Sequence, residues 1–187
     1  MPMTLPNLLT WLRILLIPVF VMIFYLPPDR IAPHWVNFSA TAVFLVAAAT
    51  DWLDGYLARA LNQMSAFGAF LDPVADKLMV AAALIVLVEI GRVDALVALI
   101  IIGREIAVSA LREWMAALGR GKSVAVSIFG KIKTAAQMVA ITLLLYFDSV
   151  AGLPIAMIGT VLIYIAAALT LLSMLYYLKR AAPTTSG

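Results

Sequence analysis

The chain has no cysteine and a single histidine, His34. A disulfide framework and a thiolate metal site are therefore excluded, and so is a histidine-rich metal site. Charge is scarce as well. Asp, Glu, Lys and Arg make up 12% of the 187 residues and apolar residues 65%, where soluble domains carry roughly 25% charge. That balance excludes a soluble globular domain, a disordered chain and a fibrous repeat. It also leaves no room for a large extramembrane domain, because six spans of about 20 residues use roughly 120 positions. The net charge of +3 is little reason to expect nucleic acid, since Lys and Arg collect in the cytoplasmic loops of membrane proteins. Membrane lipids are the expected surroundings and no nucleic-acid partner is expected. Residues 1–9 lack the basic n-region and small-residue cleavage site of a signal peptide, so the first apolar stretch is expected to be retained.

What is present is a series of long apolar runs. They predict six helices, over residues 8–26, 35–60, 69–90, 93–118, 126–147 and 153–179. Breakers or short polar turns separate them, and the strict alternation of a β-barrel is missing. The expected fold is all-α and integral to the membrane, one transmembrane domain over residues 1–180 with a short flexible tail at 181–187. With the N-terminus inside, only Arg30 and Arg92 of the 13 basic residues fall outside. Both termini are therefore expected on the cytoplasmic side. His34 is expected in an outer loop. Trp52 and Tyr56 read as belt or packing aromatics, and Asp29, Glu89, Asp94 and Asp148 fall on the outer side with no role.

The scarce charge is not spread evenly. The second helix is uncharged from Val36 to Thr50 and then carries Asp51 and Asp54; the third opens with Asp72 and Asp76. Spacings of three and four residues put each pair on one helix face. Two antiparallel neighbours joined by a short turn bring all four carboxylates to one end of the membrane. Such a group repels itself, and Arg59 and Lys77 offer two nearby positive charges. One or two divalent cations would offset the rest, and an all-oxygen donor set suits Mg²⁺ or Mn²⁺. Paired metals in a carboxylate cage suit phosphoryl chemistry. Gly55, beside Asp54, costs about 1 kcal/mol in a helix interior, a cost that close approach of a ligand to the backbone would justify. Intramembrane acids are otherwise expensive and rare.

Asp51, Asp54, Gly55, Ala58, Arg59, Gly68, Asp72 and Asp76 stand at spacings that resemble the complete signature of the CDP-alcohol phosphotransferases. The resemblance implies an integral-membrane enzyme of six helices whose active site lies at the cytoplasmic side. It implies a CDP-linked lipid donor, two divalent metal ions, an alcohol acceptor and release of CMP. Asp51, Asp54 and Asp72 would then be metal ligands. Asp76 would approach the metals too and act as general base. Gly55, Ala58, Arg59 and Gly68 would line the CDP pocket. The resemblance also implies a homodimer in the cytoplasmic membrane of a bacterium.

A second, basic cluster follows. Arg104 lies deep in the fourth helix, Arg112 eight residues on, and Lys131, Lys133 and Thr134 open the fifth. Glu105 and Glu113 can pair with part of this charge, and the remaining cations suit a phosphorylated acceptor. Positive flanking of a span is the competing reading, strongest for Arg120 and Lys122 in the loop. Within the family this stretch, with residues 5–13, resembles members that use CDP-diacylglycerol as donor and sn-glycerol 3-phosphate as acceptor. Members that make cardiolipin or phosphatidylinositol phosphate are the alternative. Asn7, Thr10 and Arg13 recur every three residues near the cytoplasmic mouth and are candidates for the donor; a helix cap and an interfacial anchor compete for Asn7 and Arg13. A cation or proton transporter is a remote alternative: transporters carry their acids at mid-membrane on broken helices, often with a repeated half, and neither feature is seen in this sequence.

Overall fold

The computed structural model describes residues 5–27, 29–60, 66–117 and 128–181. Six α-helices follow in order: α1 (Leu5–Ile23), α2 (Pro33–Ala60), α3 (Ala66–Glu89), α4 (Ala95–Ala117), α5 (Ile128–Tyr146) and α6 (Ile155–Ala181). Their bounds lie within three residues of the expected ones. No strand occurs among the described residues; Val150 and Leu153 form an isolated bridge between α5 and α6. Pro33 opens α2, where its fixed φ suits a first helical position. His34 therefore sits in the first turn of α2 rather than in a loop. Residues 182–187 of the expected tail, with Arg120 and Lys122, lie outside the described residues.

Two segments, Pro33–Leu57 and Ile155–Leu175, are long and apolar enough to cross a membrane, and α1 and α5 carry shorter apolar stretches. Helices α3 and α4 are interrupted by Asp72, Asp76, Arg104 and Glu105. Large apolar side chains nevertheless cover the outside: Leu15 and Met22 on α1, Ile85 on α3, Leu99 on α4, Leu172 on α6. So apolar a surface suits hydrocarbon rather than water. Hydroxyls in these helices are satisfied locally. Thr41, Thr142 and Thr160 each donate to the carbonyl four residues back, a bond that needs no water.

The interior is a continuous apolar core that includes Phe20, Phe44, Leu84, Ile101, Ile141 and Ile163. Helices α5 and α6 share the most extensive contact. Gly159 permits it: a Cβ there would stand 2.9 Å from Leu144 Cγ. Small residues at such crossings let helix backbones approach closely. Helix α4 packs on α6 and α3, and α2 packs on α5. The decisive feature is the position of α1. It packs on both α2 and α3, which touch each other far less although they are consecutive. A side chain on α1 can therefore stand between the two acidic helix ends.

The opposite end is closed by specific caps. Gly91, at φ +71°, ends α3 with bonds from its N–H to Val88 O at 3.0 Å and from Arg92 N–H to Leu87 O at 2.8 Å. This six-to-one and five-to-two pair is the Schellman arrangement, which favours Gly at the left-handed position. It delivers Arg92 to the end of α5. There the guanidinium donates to Leu144 O at 3.0 Å, Leu145 O at 2.9 Å and Asn37 Oδ1 at 2.7 Å. It also lies 4.1 Å from the centre of the Phe147 ring. Burial draws the Arg92 pKa down from its ordinary value, and the Asp148 carboxylate opposes this. Phe147 itself takes φ +61° without being glycine, and Arg92 supplies donors to two carbonyls that the end of α5 leaves bare.

Candidate active site

The acidic residues occupy one end of α2 and the first turns of α3. Pro73 follows Asp72 directly; it has no N–H for the carbonyl of Ala69, so one rung of the helix ladder is missing beside the acidic turn. Helix α1 presents Thr10 and Arg13, one turn apart, to this end. Arg13 is 1% exposed. Its Nη1 lies 2.7 Å from Asp51 Oδ1, and its Nη2 donates to Asp54 Oδ2. Thr10 Oγ1 donates to Asp72 Oδ1. One turn of α1 therefore ties both acids of α2 to the first acid of α3. Asp54 is 3% exposed, whereas the side chain of Asp51 is 44% exposed.

The sequence reading counted Arg59 and Lys77 as the compensating charges and gave Arg13 to the donor. The structure shows Arg13 as the direct ionic partner of Asp51 and Asp54. The reason is the wedging of α1 between α2 and α3, which no local pattern encodes. Among the described residues, no three acidic or histidine side chains are arranged to hold a metal ion as they stand.

Beside the acids lies a cavity of about 230 Å³. Asp51, Asp76, Lys77, Glu105, Thr134 and Gln137 form its polar lining. Asp76 is exposed into this space. Ala48, Val80 and Met138 form its apolar side. Four helices thus contribute to one hollow: α2, α3, α4 and α5.

The basic residues meet on Glu105. Lys133, 1% exposed, places Nζ 2.6 Å from Glu105 Oε1. Arg104, 7% exposed, places Nη1 3.0 Å from the same oxygen and Nη2 3.3 Å from Ser173 Oγ on α6. Two buried cations on one carboxylate leave this group with one positive charge. Thr134 follows Lys133 and faces the cavity. Arg104, Lys133 and Thr134 are therefore together.

The other candidates are placed less directly. Asn7 is half-buried one turn before Thr10, and Gly68 is buried. The Gly55 N–H bonds the Asp54 carboxylate. The side chains of Ala58, Arg59, Arg112 and Lys131 lie outside the described residues. Gln137 was missed by the sequence reading. It is 3% exposed and lines the cavity. The available signal was its position: an amide four residues after Lys133 and three after Thr134, in an otherwise apolar stretch of helix.

The family model of the CDP-alcohol phosphatidyltransferases matches residues 3–172. The chain is also similar to two proteins named CDP-diacylglycerol–glycerol-3-phosphate 3-phosphatidyltransferase, from Escherichia coli (strain K12) and from Shigella flexneri. Each is 50% identical to it over 183 residues, which cover 97% of this chain and 96% of the relative. A match that spans nearly every helix, and that contains the four acids around Arg13, identifies the chain as a member of the CDP-alcohol phosphatidyltransferase family.

Proposed function

We propose that the protein transfers the phosphatidyl group of CDP-diacylglycerol to sn-glycerol 3-phosphate, giving phosphatidylglycerophosphate and CMP. The observation that carries this reading is the cavity that Asp76 lines together with Glu105, the carboxylate on which the buried cations Arg104 and Lys133 meet. The E. coli and Shigella relatives named above bear that activity in their names.

In this reading the acceptor phosphate exchanges with Glu105 for Arg104 and Lys133, and Thr134 adds a hydroxyl donor. Arg112 and Lys131 are assigned to the same phosphate from their positions in the sequence. Asp76 accepts the proton of the acceptor hydroxyl as its oxygen attacks the lipid-side phosphorus. The bond from that phosphorus to the CMP oxygen breaks, and CMP departs with the electron pair. A carboxylate within hydrogen-bond reach of the hydroxyl contributes roughly 10²–10⁴-fold in such a step. Asn7, Thr10, Gly55, Ala58, Arg59 and Gly68 are assigned to the donor, and Arg13 holds Asp51 and Asp54.

Two divalent ions, Mg²⁺ or Mn²⁺, fit the donor set. Asp51, Asp54, Asp72 and Asp76 offer hard oxygens only. Arg13 already holds positive charge where two of these carboxylates meet. The chemistry such ions supply is polarisation of phosphate oxygens and stabilisation of charge on the leaving group.

Six spans with both termini in the cytoplasm agree with the excess of Lys and Arg near one end. We place the protein as a multi-pass homodimer in the bacterial cytoplasmic membrane. The test is CMP release by purified protein given CDP-diacylglycerol, a divalent ion and a panel of acceptors. Glycerol 3-phosphate should support turnover, and Asp76→Asn should lower kcat at least about 100-fold. CMP release with inositol phosphate or phosphatidylglycerol, but not glycerol 3-phosphate, overturns the acceptor. Metal-dependent cation flux in liposomes without CMP release would revive a transporter.

A further inference from the structure

Gln137 lies on α5 one turn beyond Lys133, on the same helix face. It is 3% exposed, and it lines the cavity with Asp76, Asp51, Glu105 and Thr134. Its amide oxygen has no hydrogen-bond partner among the described residues. Buried polar atoms are almost always paired, so the orphan acceptor of a residue that lines the cavity asks for a donor from whatever enters.

The chemistry of that donor is restricted. A phosphate group offers acceptor oxygens and cannot satisfy a carbonyl. The carboxylates of Asp51, Asp76 and Glu105 are acceptors as well. What Gln137 Oε1 needs is a donor, and on a small phosphorylated alcohol that donor is a hydroxyl. Lys133, four residues back and about 6 Å along the axis, is the cation expected to hold a phosphate. The pair therefore fits a small molecule that carries a phosphate and, a few bonds away, a hydroxyl that does not react.

We infer that Gln137 reads the second hydroxyl of the acceptor and so sets the preference for a polyol phosphate over a simple hydroxyalkyl phosphate. This rests on the proposed reaction. In sn-glycerol 3-phosphate one hydroxyl gives its proton to Asp76, and the hydroxyl between it and the phosphate donates to Gln137 Oε1. Gln137 makes no covalent step; it contributes binding and orientation of the acceptor. A site built to bond a hydroxyl discriminates against an analogue lacking it, because its own polar atom is left unpaired.

The test compares sn-glycerol 3-phosphate with 3-hydroxypropyl phosphate, which keeps the reacting hydroxyl and the phosphate but lacks the second hydroxyl. CMP release is measured for the wild type, Gln137→Leu and Gln137→Met in detergent with CDP-diacylglycerol and Mn²⁺. The wild type should favour glycerol 3-phosphate in kcat/KM by about 10- to 100-fold, the range for one unmade buried hydrogen bond. Both variants should lose most of that preference. Their kcat/KM should fall for glycerol 3-phosphate and stay within about twofold for the analogue, with KM for the donor unchanged. The ratio of the two substrates does not depend on how much of a variant folds. Equal loss on both substrates, or no loss on either, overturns the role of Gln137. So does a wild type that turns over glycerol 3-phosphate without preferring it. A wild type that releases CMP with neither compound overturns the proposed reaction itself, and the inference falls with it.

Discussion

Arg13→Met is the most informative single change at the acidic site. In the folded protein one guanidinium serves Asp51 and Asp54. At the 2.7 Å of the Asp51 contact, an effective dielectric of about 20 gives an attraction of roughly 6 kcal/mol. Desolvation offsets part of it, and removing one partner from a buried pair typically costs about 3–5 kcal/mol. The loss is of this order because Asp54, 3% exposed, would be left facing Asp51 and Asp72 without its cation. At about 2–4 °C per kcal/mol for a chain of this size, Tm in detergent and EDTA should fall by roughly 6–20 °C. Added Mn²⁺ should then recover more of Tm in the variant than in the wild type, since it can take over the missing positive charge. At 100 times its Kd, an ion binding only the folded form contributes about 2.7 kcal/mol. Arg13→Lys should recover only part, because an ammonium lacks the fork that reaches two carboxylates. Tryptophan-fluorescence melting is a suitable assay. If Arg13→Met melts within about 2 °C of the wild type in EDTA, less than one kcal/mol on the same scale, the reasoning fails.

Two further predictions concern stability away from the site. Arg92→Leu removes donors from Leu144 O, Leu145 O and Asn37 Oδ1; unpaired carbonyls cost about 1–3 kcal/mol each. Tm should fall by several degrees while kcat at low temperature is unchanged, because Glu89, where α3 ends, lies 13 residues beyond Asp76, about 20 Å along the axis. A matched fall in kcat would show that this end of the bundle governs the site. Gly159→Val drives a side chain into Leu144 across the α5–α6 contact, and overpacking of this kind costs about 1–3 kcal/mol. An unchanged melting curve would show that the two helices are free to separate there.

Legibility varied from one part of the molecule to another. The six helices were readable because each is a long, mostly apolar run without the alternation of a strand, and prolines and glycines mark the breaks between them. The meeting of Asp51 with Asp54 on one cation was readable in part, because helical spacing puts the two on one face. Glu105 was recognisable as a partner for nearby cations by its place beside Arg104. The ion pairs of Arg13, the bond from Thr10 to Asp72 and the orphan oxygen of Gln137 were not readable. Each depends on a neighbour distant in sequence: 41 residues from Arg13 to Asp54 and 62 from Thr10 to Asp72.

Composition and period by themselves determined an all-helical chain suited to the membrane, and the spacing of eight residues from Asp51 to Asp76 pointed to its family. Tertiary structure decided which helices surround those acids. Lipid solvates one apolar helix face as well as another, so hydropathy carries little information about which face meets which neighbour. Packing supplied it: α1 came between α2 and α3 with Arg13, α4 brought Glu105 to Lys133, and α5 turned Gln137 into the same cavity.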